Sequence, residues 1–174
     1  MDPEDQVRQL WKYDGKKLQK VLPESNVAYF TPMKESRMGV VLIEDQKLVL
    51  YDIDLKTNDK KLISREVGHS LAVGQNQKLY FVHKYSPQSW YIKSYDPLTG
   101  QIKIVCNTVK DAEDLYLTPQ DFLWMAKGSR LYKIGLEEAI GNEWKNILDL
   151  KEYGLNNIKR ICVINENNLI LINQ

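Results

Sequence analysis

The sequence predicts an all-β fold of repeated four-stranded antiparallel units, and three observations carry that reading. First, residues 70–108 (SLAVGQNQKLYFVHKYSPQSWYIKSYDPLTGQIKIVCNT) divide into four short apolar runs, at 70–73, 78–83, 90–95 and 101–106. Turn residues separate them: Gly74-Gln75-Asn76-Gln77, a loop with Pro87, and Asp96-Pro97-Leu98-Thr99-Gly100. Second, the unit recurs. Its second run aligns with Val40-Val41-Leu42-Ile43, Phe122-Leu123-Trp124-Met125 and Leu169-Ile170-Leu171-Ile172, at intervals of 39, 43 and 47 residues. A period near 40 with four strands per period is the signature of propeller blades. Third, the chain is phased. It opens on a third and a fourth strand (9–14, 17–22), runs through three complete units, and closes on a first and a second strand (159–164, 168–173). The expected fold is therefore a β-propeller of about four blades, with the N- and C-terminal strands sharing one blade and leaving no bare edge.

Each element has a local reason. Residues 2–6 read as a polar lead-in to the third strand of the composite blade. Trp11 and Tyr13 alternate with Lys12, as in a half-buried strand. Asp14-Gly15 is a two-residue hairpin signal, and Pro23-Glu24-Ser25 turns the chain into the first complete blade, 27–64. Residues 31–38 make a longer hairpin with a helical turn, and 54–60 a wide polar turn. Residues 64–69 cross to the second blade, 70–107, whose loop at 84–89 carries Tyr85 and leads to Trp90. Residues 108–113 cross to the third blade, 114–149, in which 136–142 (LEEAIGN) read as a short helix before Trp144. Residues 149–157 make the longest crossing, and Gly154 with Asn156-Asn157 argues for an irregular loop. The composite blade joins 158–174 to 7–23, and the whole of 1–174 reads as one domain.

Composition excludes some partners. The 24 basic and 23 acidic residues leave a net charge of +1, so no field draws the chain to nucleic acid or an anionic membrane. Lys16-Lys17, Lys60-Lys61 and Lys159-Arg160 are scattered pairs, read as charged protection of strand edges. No apolar run approaches the roughly 18 residues that span a bilayer. The opening Met1-Asp2-Pro3-Glu4-Asp5 is acidic where a signal peptide would be basic, and there is no N-glycosylation sequon. Cys106 and Cys162 fall two blades apart, too far for Cα atoms within about 7 Å, so they read as small buried hydrophobes rather than a disulfide.

The segments LTPQDFLWMAKGSRLYKI, VGQNQKLYFVHKYSPQSWYIKSYD and VINENNLILINQ carry a family resemblance. Each has an apolar strand, a turn and a second strand, followed in the first two by an aromatic strand that ends in Asp in the second. The pattern resembles the WD-type repeats of TolB-like propellers, and LWKYDGKKLQKVLP is similar to the second half of such a repeat. The tail NILDLKEYGLNNIKRICVINENN is similar to the last blade of bacterial extracytoplasmic members. The resemblance covers nearly the whole chain and implies a propeller fold and, with a removed upstream signal peptide, a periplasmic or secreted location. Propellers of that family usually have six blades, which keeps a fragment of a larger propeller among the readings.

No catalytic set assembles in the sequence. His69 and His83 are the only histidines, and no HxxxH, CxxC or HExxH spacing brings zinc ligands together. There is no GxSxG, and the first strands, which line a propeller's axis, carry only Asp114, at an edge, as a carboxylate. Asp14, Asp52 and Asp96 recur at third-strand ends and read as turn acceptors for backbone N–H groups. Trp124 and Trp144 read as packing between blades, whereas Tyr85 and Trp90, held by a loop, suit an exposed platform. Propellers bind through the face made by blade crossings and the second-to-third strand loops. Here that face carries Arg65, Glu66, His69, Lys84, Tyr85, Trp90, Lys110, Asp111, Glu113 and Tyr153. Charges of both signs with a few aromatics suit a protein or peptide partner. The expectation is a non-catalytic interaction module, monomer or homodimer, without cofactor or metal. The alternatives are a propeller fragment of a larger extracytoplasmic receptor or hydrolase, and a half-propeller that oligomerises into an eight-bladed ring.

Overall fold

Strands dominate the computed structural model, which describes residues 7–23, 25–139, 141, 143–165 and 168–174. The expected lead-in at 2–6 and the centre of the last turn, at 166–167, lie outside the described residues. The chain divides into two compact units, Met1–Val67 and Gly68–Gln174.

In the first unit, β1 (Leu10–Tyr13) and β2 (Leu18–Val21) pair as a two-stranded antiparallel sheet. Then β3 (Val27–Pro32), β4 (Arg37–Glu44), β5 (Lys47–Asp54) and β6 (Lys60–Arg65) form a four-stranded sheet in sequence order. β4 and β5 read as unbroken apolar runs because they are buried along most of their length; Val40, Val49 and Ile53 have no exposed surface. Leu10 and Val21, opposite each other in the first sheet, join the core of Val27, Val40, Leu42 and Tyr51. Each such fully buried side chain contributes about 1.5–3 kcal/mol.

The second unit stacks three sheets. β7 (Val67–Val73), β8 (Leu79–Ser86), β9 (Ser89–Tyr95) and β10 (Ile102–Asn107) form one. β11 (Tyr116–Leu117), β12 (Phe122–Lys127), β13 (Arg130–Gly135) and β14 (Lys145–Asp149) form the next. β15 (Ile158–Asn165) and β16 (Asn168–Asn173) form a two-stranded sheet. Val82, Ile92, Leu115, Leu123 and Met125 fill the layer between the first two sheets. Trp124, Leu131 and Ile158 fill the layer beneath β15 and β16, against which Ile161, Val163, Leu169 and Leu171 pack.

The repeat is visible in small devices as well. The third-to-fourth strand ladder slips once in every four-stranded sheet, at Leu50/Tyr51, Ile104/Cys106 and Leu131/Tyr132. Such bulges bend and twist the outer strand. The strand plan of four-stranded antiparallel sheets in sequence order is the one the repeats predict, but the expected shared terminal blade is corrected: β1–β2 and β15–β16 are two separate two-stranded sheets.

Several local expectations are corrected. The loop expected at 84–89 is a tight hairpin: β8 runs to Ser86 and β9 starts at Ser89, so Lys84, Tyr85 and Trp90 stand on strands. The short helix expected at 136–142 is a hydrogen-bonded turn in its described part, closed by Glu138 N–H donating to the Gly135 carbonyl. The crossing expected at 64–69 shrinks to Glu66 alone, in a left-handed conformation at φ 55°. Cys162 is exposed; only Cys106 is buried, and both thiols are free. Asp52 is no turn acceptor. β5 continues to Asp54, which accepts from the Lys56 N–H at 2.8 Å, while buried Asp52 pairs with Arg37.

Candidate functional site

The crossing from β10 to β11, residues 108–115, organises the polar surface of the second unit. Its backbone is pinned at both ends. Thr108 N–H donates to the Trp90 carbonyl at 3.1 Å, and Leu115 N–H donates to Ser70 Oγ at 2.6 Å. Between them, His69 N–H donates to the Glu113 carbonyl at 3.3 Å. The close approach needs Gly68: a Cβ there would stand 2.6 Å from the Glu113 carbonyl oxygen. Ala112 and Leu115 turn inward into the core, which leaves Lys110 and Asp111 outward. Asp111 sits at φ 57°, in the left-handed region that Asp tolerates better than most residues.

A cleft lies on each side of this crossing. One, of about 570 Å³, is walled by Pro87, Trp90, Tyr91, Asn107, Lys110 and Asp111. Lys84 Nζ rests 5.5 Å from the centroid of the Trp90 ring. Tyr85 is exposed beside it, its ring 6.3 Å from that of Tyr91. The other cleft, of about 250 Å³, is walled by His69, Glu113, Asp114, Lys127, Asn157 and Lys159. Asp111 borders both.

Charge in the smaller cleft is paired. Glu113 Oε2 accepts from His69 Nε2 and from Lys84 Nζ, each at 3.1 Å. Lys127 Nζ donates to the Asp111 carbonyl at 3.2 Å. Asp114 is the exception in quality. Arg160 Nη1 stands 3.6 Å from its Oδ1, and that buried oxygen makes no hydrogen bond among the described residues. Burial raises the Asp114 carboxyl above its usual 3.8, against the opposing pull of Arg160, His69 and Lys159.

The sequence-predicted residues therefore fall into three places. His69 and Lys84 meet at the Glu113 carboxylate, and Trp90, Lys110 and Asp111 wall the adjoining cleft, while Tyr85 is exposed and borders neither cleft. Tyr153 is exposed on a single 3-10 turn, Lys151–Tyr153, and borders neither cleft. Arg65 and Glu66 belong to the first unit, where they brace the β4–β5 hairpin: Arg65 pairs with Glu44 at 3.9 Å, and Glu66 with Lys47. Sequence reasoning set Asp114 aside as an edge residue and missed Lys127, Asn157 and Lys159. The signal was present in the repeat. Positions 69 and 159–160 stand near the start of a first strand and 113–114 just before one, so stacking the repeats brings them together.

The groups around the crossing can recognise a polar ligand by hydrogen bonds and an aromatic surface. Among the described residues, no cluster of three or more His, Cys, Asp or Glu is arranged to hold a metal ion. No helix is long and apolar enough to cross a membrane.

No family model matches the chain, and no curated protein matches it in sequence. Solved structures do match. The CNH domain of AfRom2 superposes with a TM-score of 0.60 at 18% identity, over 93% of this chain and 56% of that one. A puromycin hydrolase superposes with a TM-score of 0.52 at 14% identity, over 88% of this chain and 26% of that one. PorZ, a surface component of the type-IX secretion system of Porphyromonas gingivalis, superposes with a TM-score of 0.50 at 13% identity, over 88% and 19%. The fold is a β-propeller fold. At these identities the likeness concerns the fold alone, and it does not single out the TolB-like family within it. The chain spans little more than half the length of the first of these proteins and about a quarter of the second.

Proposed function

We propose that this chain is a non-catalytic propeller module that binds a polypeptide segment across the crossing at 108–115. One observation carries the reading: two adjoining clefts share the Asp111 ridge, one aromatic and one charged with both signs. An extended segment laid over that ridge meets Trp90 on one side and the Glu113 triad on the other. This mixture of aromatic anchor and balanced charge is the composition of protein-recognition surfaces. The TolB-like resemblance fits the same reading and, with it, a periplasmic or secreted setting. The test is a displayed peptide library selected on the purified protein. Enriched peptides should lose about ten-fold or more in affinity on Trp90→Ala, which also loses packing against the core, and several-fold on the exposed Lys110→Glu, with melting temperature unchanged in the Lys110 variant. Peptides that bind both variants as tightly as the parent would end this reading.

Two further readings have an observation each. The partial coverage of longer propeller chains supports a segment of a larger receptor or hydrolase, with this surface docking another domain. The exposed isoleucines of β15 and β16 support self-association into a larger ring. Light scattering at two concentrations separates them: a dimer independent of dilution supports the ring, and a monomer removes it.

A further inference from the structure

The two-stranded sheets expose apolar residues at repeat positions that the complete sheets bury. The turn aspartates align the third strands: Asp14, Asp54 and Asp96 each accept backbone N–H groups from just beyond the strand. Tyr13 therefore matches Ile53 and Tyr95, which are fully buried, yet Tyr13 is 68% exposed. The first hairpins align the second strands. The pair Val163–Leu169 matches Leu117–Leu123, so Ile170 matches Trp124, which is buried, while Ile170 is exposed. Each two-stranded sheet also leaves part of its neighbour bare. Phe30 stands opposite Val40 on the face that Leu10 and Val21 cover, and is 56% exposed. Leu148 stands opposite Leu131 on the face that Leu169 and Leu171 cover, and is exposed as well. Clustered apolar exposure of this kind marks an interface.

We propose that a second copy of this chain covers both open faces, through a lap joint in which β16 of one copy pairs edge to edge with β1 of the other. The proposal rests on the self-association reading above and names its strands and contacts. The joint needs a half-sheet of opposite phase, and the chain holds both halves. β15 and β16 are a first and a second strand, β1 and β2 a third and a fourth, so the joined order repeats that of the other sheets. β16 and β1 each have a single strand neighbour, which leaves an edge of backbone donors and acceptors to pair. The register follows from the complete sheets. Trp124 opposes Lys133 and Tyr80 opposes Ser94, which sets Ile170 opposite Lys12 and Ile172 opposite Leu10. Trp11 and Tyr13 then share a face with Leu169 and Leu171, and Ile172 shares one with Leu10. Each face thus continues an apolar layer already present. Across the joint Ile170 and Ile172 meet Phe30, while Tyr13 and Leu18 meet Leu148. The contact is head to tail, and two such joints close a pair of copies into a ring.

The test follows mass by light scattering over a range of concentrations, with melting temperature as the control for folding. The parent should associate. Phe30→Lys, in the other unit from the isoleucines, should weaken association about ten-fold or more, as Ile170→Lys should. Both should melt as the parent does. A covalent trap reads the register, in a Cys162→Ser background. Lys12→Cys and Ile170→Cys, made on separate chains and mixed under mild oxidation, should give a disulfide-linked dimer on a non-reducing gel. Neither variant alone should give it. If the parent associates but Phe30→Lys associates equally well, or the mixed cysteines do not link, the lap joint falls and self-association by stacked isoleucine rows stands. If both cysteines placed in one chain link within that chain, the shared sheet closes in a single copy and the proposal is overturned. If the parent is a monomer at every concentration, the joint and the self-association reading fall together.

Discussion

Asp114 couples the candidate site to stability. Its carboxyl titrates higher in the folded protein than in the unfolded chain, because burial disfavours the charge. The folded state therefore holds its proton longer, and stability is lost as pH rises from the usual 3.8 through the raised value. Asp114→Asn should raise the melting temperature at neutral pH and give no gain in strong acid, as followed by circular dichroism. The exposed turn aspartates run the other way. Backbone N–H donors hold Asp14, Asp54 and Asp96 below 3.8, so their contribution is lost as pH falls beneath that value. Gly68 is decided by space rather than charge. Ala at that position must move the Glu113 carbonyl or the Val82 side chain, and should cost about 1–3 kcal/mol in denaturant unfolding. Because the displaced backbone belongs to the binding crossing, the variant should also weaken library peptides.

Among the elements, inner and outer strands differed in how plainly the residues announced them. β4, β5, β8 and β12 are apolar runs buried over most of their length, and their repeat is visible without any structure. β14 is exposed along its whole length, and β11 is only two residues long, so neither has a pattern strong enough to set its limits. Lys84, Tyr85 and Trp90 read as loop residues because Pro87 lies among them; the proline instead occupies a two-residue turn between long strands. Asp52 deceived for a different reason. It matches the turn aspartates in the repeat, yet one extra pair of residues in β5 moves it into the interior, where Arg37 Nε donates to it at 3.0 Å. Arg37 is thus one of the groups that hold a buried carboxylate. Arg37→Met should cost about 1–3 kcal/mol, measurable in urea. The binding face was legible in its crossing, Lys110 to Glu113, since crossings follow from the repeat. It was not legible in Lys127, Asn157 and Lys159, which come together only when the second unit's three sheets stack.

On the scale of the molecule, each compact unit carries a two-stranded sheet with one covered and one open face. In the first unit Leu10 and Val21 point into the core while Trp11, Tyr13 and Leu18 are exposed. In the second, Ile161, Val163, Leu169 and Leu171 are covered, while Ile164, Ile170 and Ile172 are 60%, 57% and 56% exposed. Contiguous isoleucines on an exposed sheet favour association. Ile170→Lys should lower the mass seen by light scattering, or abolish its growth with concentration, without loss of melting temperature. The same open face holds Cys162, opposite Ile170 in the ladder. The other thiol, Cys106, is buried and pushed up to about 12 by desolvation, so it stays protonated and unreactive at neutral pH. The protein thus brings its own reporter: a maleimide dye or spin label should couple to one sulfur in the native state and to two in denaturant. Attached there, it would register whatever comes to cover the isoleucine row, by quenching or by loss of probe mobility, without a single engineered residue.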